Sequence, residues 1–133
     1  MTEVNYARVS DAMSDTVRTI DAMASIKDAI KTMRDEHVSS LVVKRRDDAD
    51  EYGMIAVADI ARDVIASNRS IERVSVYEVM SKPVMSLPAE MQVKYAVRLL
   101  VRYNLTRALV IDHERHPVGI VTLRDLVLRA ELS

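Results

Sequence analysis

The sequence predicts an α/β (α+β) protein built twice over from one β-α-β-β-α plan. The first observation is an internal repeat. Shifted by 67 positions, Val9-Ser10-Asp11-Ala12-Met13-Ser14 falls on Val76-Tyr77-Glu78-Val79-Met80-Ser81, and the match continues to Val43 over Val110. After one deleted residue it resumes, with Gly53-Met54-Ile55-Ala56-Val57-Ala58-Asp59 over Gly119-Ile120-Val121-Thr122-Leu123-Arg124-Asp125. About eleven of roughly fifty aligned positions are identical and most others exchange like for like, the mark of tandem copies of one supersecondary unit. The second observation is composition: 49 % of the residues are hydrophobic, yet Phe and Trp are absent and only five Tyr occur. The interior must be made of Val, Ile, Leu, Met and Ala, which suits strands packed under helices. Third, short β-type apolar runs alternate with stretches whose apolar residues fall on one helical face. A single copy of roughly 58 residues buries too little surface to be safely stable, so the two are expected to share a core.

Each copy opens on a short turn of helix. In copy one, Val17-Arg18-Thr19-Ile20 is a strand candidate, and Asp21 to Ser25 lead into a helix with Ser25 as N-cap, because its hydroxyl can take an amide at the helix start. Ile26, Ala29, Ile30 and Met33 then share a face. Leu41-Val42-Val43 and Met54-Ile55-Ala56-Val57 read as strands, joined by the polar, solvated hairpin loop Arg45 to Glu51. Copy two repeats this with Val84 to Leu87 as strand, Pro88-Ala89-Glu90 leading into a helix, and Val93, Ala96, Val97 and Leu100 on its buried face. Its hairpin pairs Ala108 to Ile111 with Val118 to Val121, and a closing helix runs from about Leu123 to Glu131. The polar stretch Ser67-Asn68-Arg69-Ser70 divides the chain into a first repeat at 1–67 with an N-terminal extension, a linker at 68–75 and a second repeat at 76–133. Strands without clean polar alternation imply a sheet covered on both faces, by helices on one side and the sister copy on the other.

Charge and composition exclude several functions. Nineteen basic and twenty acidic residues leave a net charge of −1, and the one basic run, Lys44-Arg45-Arg46, is followed at once by Asp47 and Asp48. Such a chain lacks the field and stacking platforms of a nucleic-acid binder. The absence of cysteine excludes disulfides, thiolate metal sites and thiol catalysis. No apolar run approaches the ~20 residues of a membrane span and no signal peptide is evident, so a soluble cytoplasmic protein without membrane attachment is expected. His113 and His116 flank Glu114 and Arg115 in a loop without a third rigid ligand, so no metal site is expected. His37 is expected on the buried side of its helix near the C-terminal end, where the dipole favours it. Several of the eight methionines occupy matching core positions in both copies, so packing explains most of them. No Ser-His-Asp or paired-carboxylate arrangement can be assembled, so the chain is not expected to be an enzyme or to require a cofactor.

The sharpest local feature is Gly119-Ile120-Val121-Thr122-Leu123-Arg124-Asp125, where a strand passes directly into a helix. Thr122 can cap that helix by accepting from the third helical amide, and Asp125 sits in the first turn where the dipole favours an acid. A carboxylate held rigidly there can also accept two hydrogen bonds from a cis-diol such as ribose, beside amides that favour a phosphate. Copy one keeps the acid, Asp59, but has Ala56 in place of the hydroxyl. Likewise Arg107 of copy two, a guanidinium able to fork onto phosphate, is matched by Ser40.

The duplicated plan, the Val-x-x-x-Met openings (Val9 to Met13, Val76 to Met80), Leu41-Val42-Val43, Leu109-Val110-Ile111-Asp112 and above all Gly-x-Val-Thr-x-x-Asp resemble a CBS-domain pair, or Bateman module, over nearly the whole chain. The resemblance implies tandem CBS repeats, each with a small three-stranded sheet, the sheets packed together about a pseudo-twofold axis. It implies a regulatory, non-catalytic module that binds an adenosyl ligand, AMP, ADP or ATP, in a cleft between the copies. Asp125 would hold the ribose, Thr122, Arg107 and Arg124 would face phosphate, and Val84 with Lys82 and Pro83 would lie beside adenine. Ala56 leaves the pseudo-symmetric site around Asp59 and Ser40 degenerate. Two arginines favour an anionic nucleotide over cationic S-adenosylmethionine. The alternatives are a sensor of S-adenosylmethionine or NADH, and a dimeric interaction scaffold in which Thr122 only caps a helix. Helices apolar over a wide arc, with Val64 and Ile65 in one and Leu126, Val127 and Leu128 in its twin, predict a homodimer, with an unidentified regulated protein as a further partner.

Overall fold

The computed structural model describes residues 7–130. In chain order the elements are α1 (Val9–Ala12), β1 (Thr19–Ile20), α2 (Ile26–Glu36), β2 (Ser40–Val43), β3 (Gly53–Ala56), α3 (Val57–Ile60, widened into a π turn over Ala61–Ile65), a 3₁₀ turn (Val76–Glu78), β4 (Ser86–Pro88), α4 (Val93–Arg102), β5 (Arg107–Ile111), β6 (Pro117–Thr122) and α5 (Leu123–Leu128). They form two three-stranded sheets, β1-β2-β3 and β4-β5-β6, each with one parallel and one antiparallel pairing.

The described residues pack as two compact units, one of residues 18–84 and one of residues 7–17 with 85–130. In the 18–84 unit, Ser25 caps α2 by accepting from the Asp28 amide at 3.0 Å. Ile26, Ala29 and Met33 turn inward onto Leu41, Val43 and Ile55, with Ile60, Val64, Val74 and Val76 in the same cluster. On the opposite face of the sheet, Val42 and Met54, paired across the hairpin, are also buried. In the other unit, Val93, Ala96 and Leu100 of α4 pack on Leu87, Ala108, Val110, Val121 and Leu126.

The repeats of the sequence and the units of packing are different partitions of the chain. The opening turn α1 of copy one belongs with the body of copy two, because the Val9 amide donates to Met91 (2.8 Å) and the Val93 amide to Ala7 (3.0 Å). The turn Val76–Glu78 of copy two belongs with the body of copy one, where the Val76 amide donates to Ala24 at 2.8 Å. Residues 68–75, expected to be a linker, carry Val74, which is 5 % exposed and accepts from the Ile26 amide at 2.9 Å.

Several boundaries move for local reasons. β1 keeps only Thr19–Ile20 of the expected Val17–Ile20, and β4 begins at Ser86 rather than Val84. Val57 leaves β3 to begin α3 and is exposed, and α4 starts at Val93, after the stretch that binds α1. The closing helix stops at Leu128, and Glu131 lies outside the described residues. His37 is exposed rather than buried, because it is the C-cap of α2, in the left-handed region at φ 56°, with its amide turned back to Met33 and Arg34. The loop Arg45 to Glu51 is not uniformly solvated: the Asp50 side chain is only 8 % exposed.

Two glycines sit where backbones approach closely. A Cβ on Gly119 would lie 2.7 Å from the Ser14 carbonyl oxygen and 2.5 Å from Met13 Sδ, and one on Gly53 would lie 3.2 Å from the Ser81 oxygen and 2.9 Å from Met80 Sδ. The close approach lets Ser14 pair with Ile120, and Ser81 with Met54, as one-residue extensions of β6 and β3.

Candidate functional site

The strand-to-helix corners of the two copies use the same acid differently. At the β6–α5 corner the Thr122 hydroxyl accepts from the Asp125 amide at 3.0 Å, the capping contact that the sequence predicts. With the cap supplied by a hydroxyl, the half-buried Asp125 carboxylate accepts no hydrogen bond and joins no ion pair among the described residues. Arg107 stands directly opposite Thr122 in the β5–β6 register, so both side chains leave the same face of the sheet. Arg124, the next residue but one after Thr122, is exposed. The structure thus places Thr122 and Asp125 at one strand-to-helix corner, with Arg107 opposite Thr122 on the neighbouring strand.

At the β3–α3 corner Ala56 has no hydroxyl, and Asp59 takes over the capping role. Its Oδ2 accepts from the Ala56 amide at 2.8 Å and its Oδ1 from Arg62 Nη2 at 3.2 Å. Arg62 also pairs with Asp63, whose carboxyl it holds below the usual carboxylate range. Ser40 lies opposite Ala56 in the register and is 8 % exposed. The sequence-level contrast between the copies therefore has a structural cost beyond the missing hydroxyl, because the acid itself is engaged. Arg62, three residues after Asp59, was the visible signal for this.

Lys82, Pro83 and Val84 belong to the 18–84 unit. Val84 is half-buried and donates its amide to the Tyr52 carbonyl at 3.0 Å, while Pro83 is exposed. Lys82 Nζ lies 2.7 and 2.9 Å from the two oxygens of Asp50. That contact lowers the Asp50 carboxyl well below the ordinary carboxylate range, with the Arg46 amide as second cause. No sequence pattern announces a pair that far apart in the chain.

The histidines of the β5–β6 loop are exposed, His113 meeting Glu90 at 3.1 Å and His116 meeting Glu114 at 3.4 Å. The Asp112 carboxyl turns inward on its own loop, accepting from the His116 and Glu114 amides, and these hold its pKa below the ordinary range. Among the described residues no group of three or more His, Cys, Asp or Glu is placed to hold a metal ion, and no helix is long and apolar enough to cross a membrane.

A duplicated sheet-and-helix plan, with an acid in the first turn after each Gly-containing strand, defines a class of tandem small-domain modules. The CBS domain family model matches residues 9–66 and again 76–131, and the chain belongs to that family. Among solved structures it is similar to the hexameric CBS-CP12 protein of bloom-forming cyanobacteria, with 30 % identity, a TM-score of 0.90, and coverage of 93 % of this chain and 68 % of that one. It is similar also to a CBS domain protein of Thermoplasma acidophilum (32 % identity, TM-score 0.82, 97 % of this chain and 71 % of that one). A third similar structure is the CBS domain pair of protein MJ0100, solved in complex with 5-methylthioadenosine and S-adenosyl-L-methionine (26 % identity, TM-score 0.77, 92 % of this chain and 94 % of that one). The chain spans less than half the length of the curated relatives it matches, 48 % in a Methanopyrus kandleri protein and 44 % in one from Thermofilum pendens.

Proposed function

We propose that this chain is a regulatory module that binds an adenine nucleotide, AMP, ADP or ATP, and performs no chemistry on it. The observation that carries the reading is the contrast between the two acids. Asp125 is half-buried, preset by the Thr122 cap and without a partner among the described residues, whereas Asp59 is engaged by Ala56 and Arg62. A carboxylate in that condition accepts the two hydroxyls of a ribose at little reorganisation cost. Arg107, on the same sheet face as Thr122, supplies charge for phosphate, with Arg124 beside it on α5. Pro83 and Val84 are the residues proposed to face adenine. The MJ0100 domain pair, solved with two adenosyl compounds, supports the adenosyl class. The corner around Asp59 and Ser40 is proposed to be the degenerate one.

Bound ligand stabilises the state it selects: at 100 times its dissociation constant it contributes about 2.7 kcal/mol, enough to bias an attached or associated partner. The test is a thermal-shift panel of AMP, ADP, ATP, NADH and S-adenosylmethionine at millimolar concentration. A shift with the nucleotides that vanishes in Asp125→Ala supports the reading; no shift with any of the five refutes it. The complex of MJ0100 favours one second reading, a sensor of S-adenosylmethionine or methylthioadenosine, and a shift with these but not with AMP would select it.

The module is further proposed to be a homodimer. Val57 (52 %) and Ile65 (62 %) are exposed along a groove of about 340 Å³ lined by Ile30, Met33, Val38 and Ile60, and Val101, Val127 and Leu128 are exposed in the other unit. A second copy of the chain would cover such faces, and the similar CBS-CP12 protein is described as hexameric. Light scattering that gives a monomer at micromolar concentration would refute the dimer.

A further inference from the structure

We infer that Asp50 is a positioning residue: through Lys82 it fixes the segment Ser81–Val84 against the edge of β3, and this fixes how Pro83 and Val84 are presented to a ligand. The inference rests on the adenosyl reading for what that segment does, and on geometry for how it is held. β3 is an edge strand of its sheet, and an edge leaves backbone groups that need partners. Ser81 supplies them at one point, exchanging both amide-to-carbonyl bonds with Met54 at 2.9 Å, and Val84 at a second, donating to Tyr52 at 3.0 Å. Between these two points lie Lys82 and Pro83, which have no backbone bond to β3 among the described residues. The stretch would be free to bow outward but for the Lys82 ammonium, which reaches both oxygens of Asp50.

Asp50 is itself held. The β2–β3 loop folds back so that the Arg46 amide donates to Asp50 Oδ2 at 2.9 Å and Arg46 Nε to the same oxygen at 3.3 Å. The carboxylate side chain is 8 % exposed and that of Lys82 27 %, so the pair is shielded where most ion pairs of this chain are open to water. Arg45 lies over the Tyr52 ring, 4.7 Å from its centroid, and steadies the residue just before β3 whose carbonyl receives Val84.

The other packing unit lacks the device. Ser14 pairs with Ile120 as Ser81 pairs with Met54, but the position after it is Asp15, an exposed acid. The acid of that unit's hairpin, Asp112, directs its carboxylate to its own loop amides. Where duplication began with equivalent segments, only the one leading into copy two carries a charged anchor.

The test uses the full chain with AMP as probe and measures affinity by calorimetry for wild type, Asp50→Asn, Lys82→Met, the double variant and Lys82→Arg. Each single loss is expected to weaken AMP by on the order of tenfold, the double variant no further, and Lys82→Arg to restore most of it. Amide exchange without ligand is expected to rise at Val84 in Asp50→Asn and Lys82→Met. If Lys82→Met weakens binding while Asp50→Asn does not, Lys82 touches the ligand directly and the positioning role is wrong. It is equally wrong if both variants bind as wild type, or if Val84 exchange is unchanged. Failure of wild type to bind AMP or any adenosyl compound overturns the adenosyl reading and with it the presentation role, a result distinct from wild-type binding that the variants leave intact.

Discussion

Replacing Asp59 and Asp125 in turn by alanine tests the proposal that the first acid is structural and the second binds ligand. Both occupy the first turn of a short helix, so each loses about 0.5 kcal/mol of dipole interaction. Asp59→Ala also strips the partner from the Ala56 amide, on a residue only 8 % exposed, and an unsatisfied buried donor costs about 1–3 kcal/mol. The bond to Arg62, a side chain 66 % exposed, adds little. The sum is about 1.5–3.5 kcal/mol for Asp59→Ala against about 0.5 for Asp125→Ala. At ~4 °C per kcal/mol for a chain of this size, the melting temperature without ligand falls by about 6–14 °C in the first variant and ~2 °C in the second. Binding runs the other way. A carboxylate that accepts two ribose hydroxyls through bonds of at least 1.5 kcal/mol each contributes about 3 kcal/mol, so Asp125→Ala weakens AMP by roughly 100-fold, and Asp59→Ala leaves its affinity within a few-fold. Thermal unfolding by circular dichroism and calorimetric titration read the two axes. Asp59→Asn is the control, since its side-chain oxygen still accepts the amide. Equal losses of stability in the two alanine variants, or AMP affinity that follows Asp59 rather than Asp125, would refute the reasoning.

Three further outcomes follow from the geometry. Thr122→Ala removes a cap and is expected to cost about 1 kcal/mol in thermal unfolding, most of it restored by Thr122→Ser; no change would mean that the Asp125 amide finds another acceptor. Gly119→Ala is expected to destabilise more than Gly53→Ala, by about 1–3 kcal/mol, because its Cβ meets the Ser14 carbonyl at 2.7 Å whereas the nearest obstacle at Gly53 is the mobile end of Met80; the reverse order in a melt would contradict the close approaches described. The Asp50 carboxyl is held low in the folded state, chiefly by Lys82, so its contribution is fully present above the ordinary aspartate pKa of about 3.9 and is lost as pH falls below that toward its folded value. The difference in melting temperature between wild type and Asp50→Asn should therefore be constant from pH 8 to 5 and shrink on further acidification, and a difference that changes between pH 5 and 8 would count against the assignment.

Much of the architecture was legible because it rests on local rules. Ser25 and Thr122 cap helices because a hydroxyl before an apolar-periodic run has a nearby amide to accept from. Ile26, Ala29 and Met33, and their counterparts Val93, Ala96 and Leu100, are buried because the 3.6-residue period puts them on one side of a helix. The strands Ser40–Val43 and Gly53–Ala56 lie within a residue of the apolar runs that announced them. Two misplacements show different causes, one a distant partner and one a local helix cap. The repeat of the plan predicts a strand from Val84, yet its amide is taken by the carbonyl of Tyr52, far away in the chain. The spacing from Met33 predicts a buried His37, yet the helix closes there through a left-handed cap.

The amino-acid sequence by itself determined the duplication, the two sheet-and-helix bodies, the family and the asymmetry between Thr122 with Arg107 and Ala56 with Ser40, since all of these are written in residue type and spacing. Tertiary structure decided which acid is available: Asp59 and Asp125 look alike in the alignment, and only the hydrogen bonds around them show one engaged and one not. It also decided that Asp50, one of several acids in a polar loop, is shielded by Lys82 and Arg46, and that each copy's opening turn packs with the body of the other. The physical reason is common to all three. Periodicity and capping act over a few residues, while hydrogen bonds and ion pairs between segments dozens of residues apart depend on where folding brings the chain back.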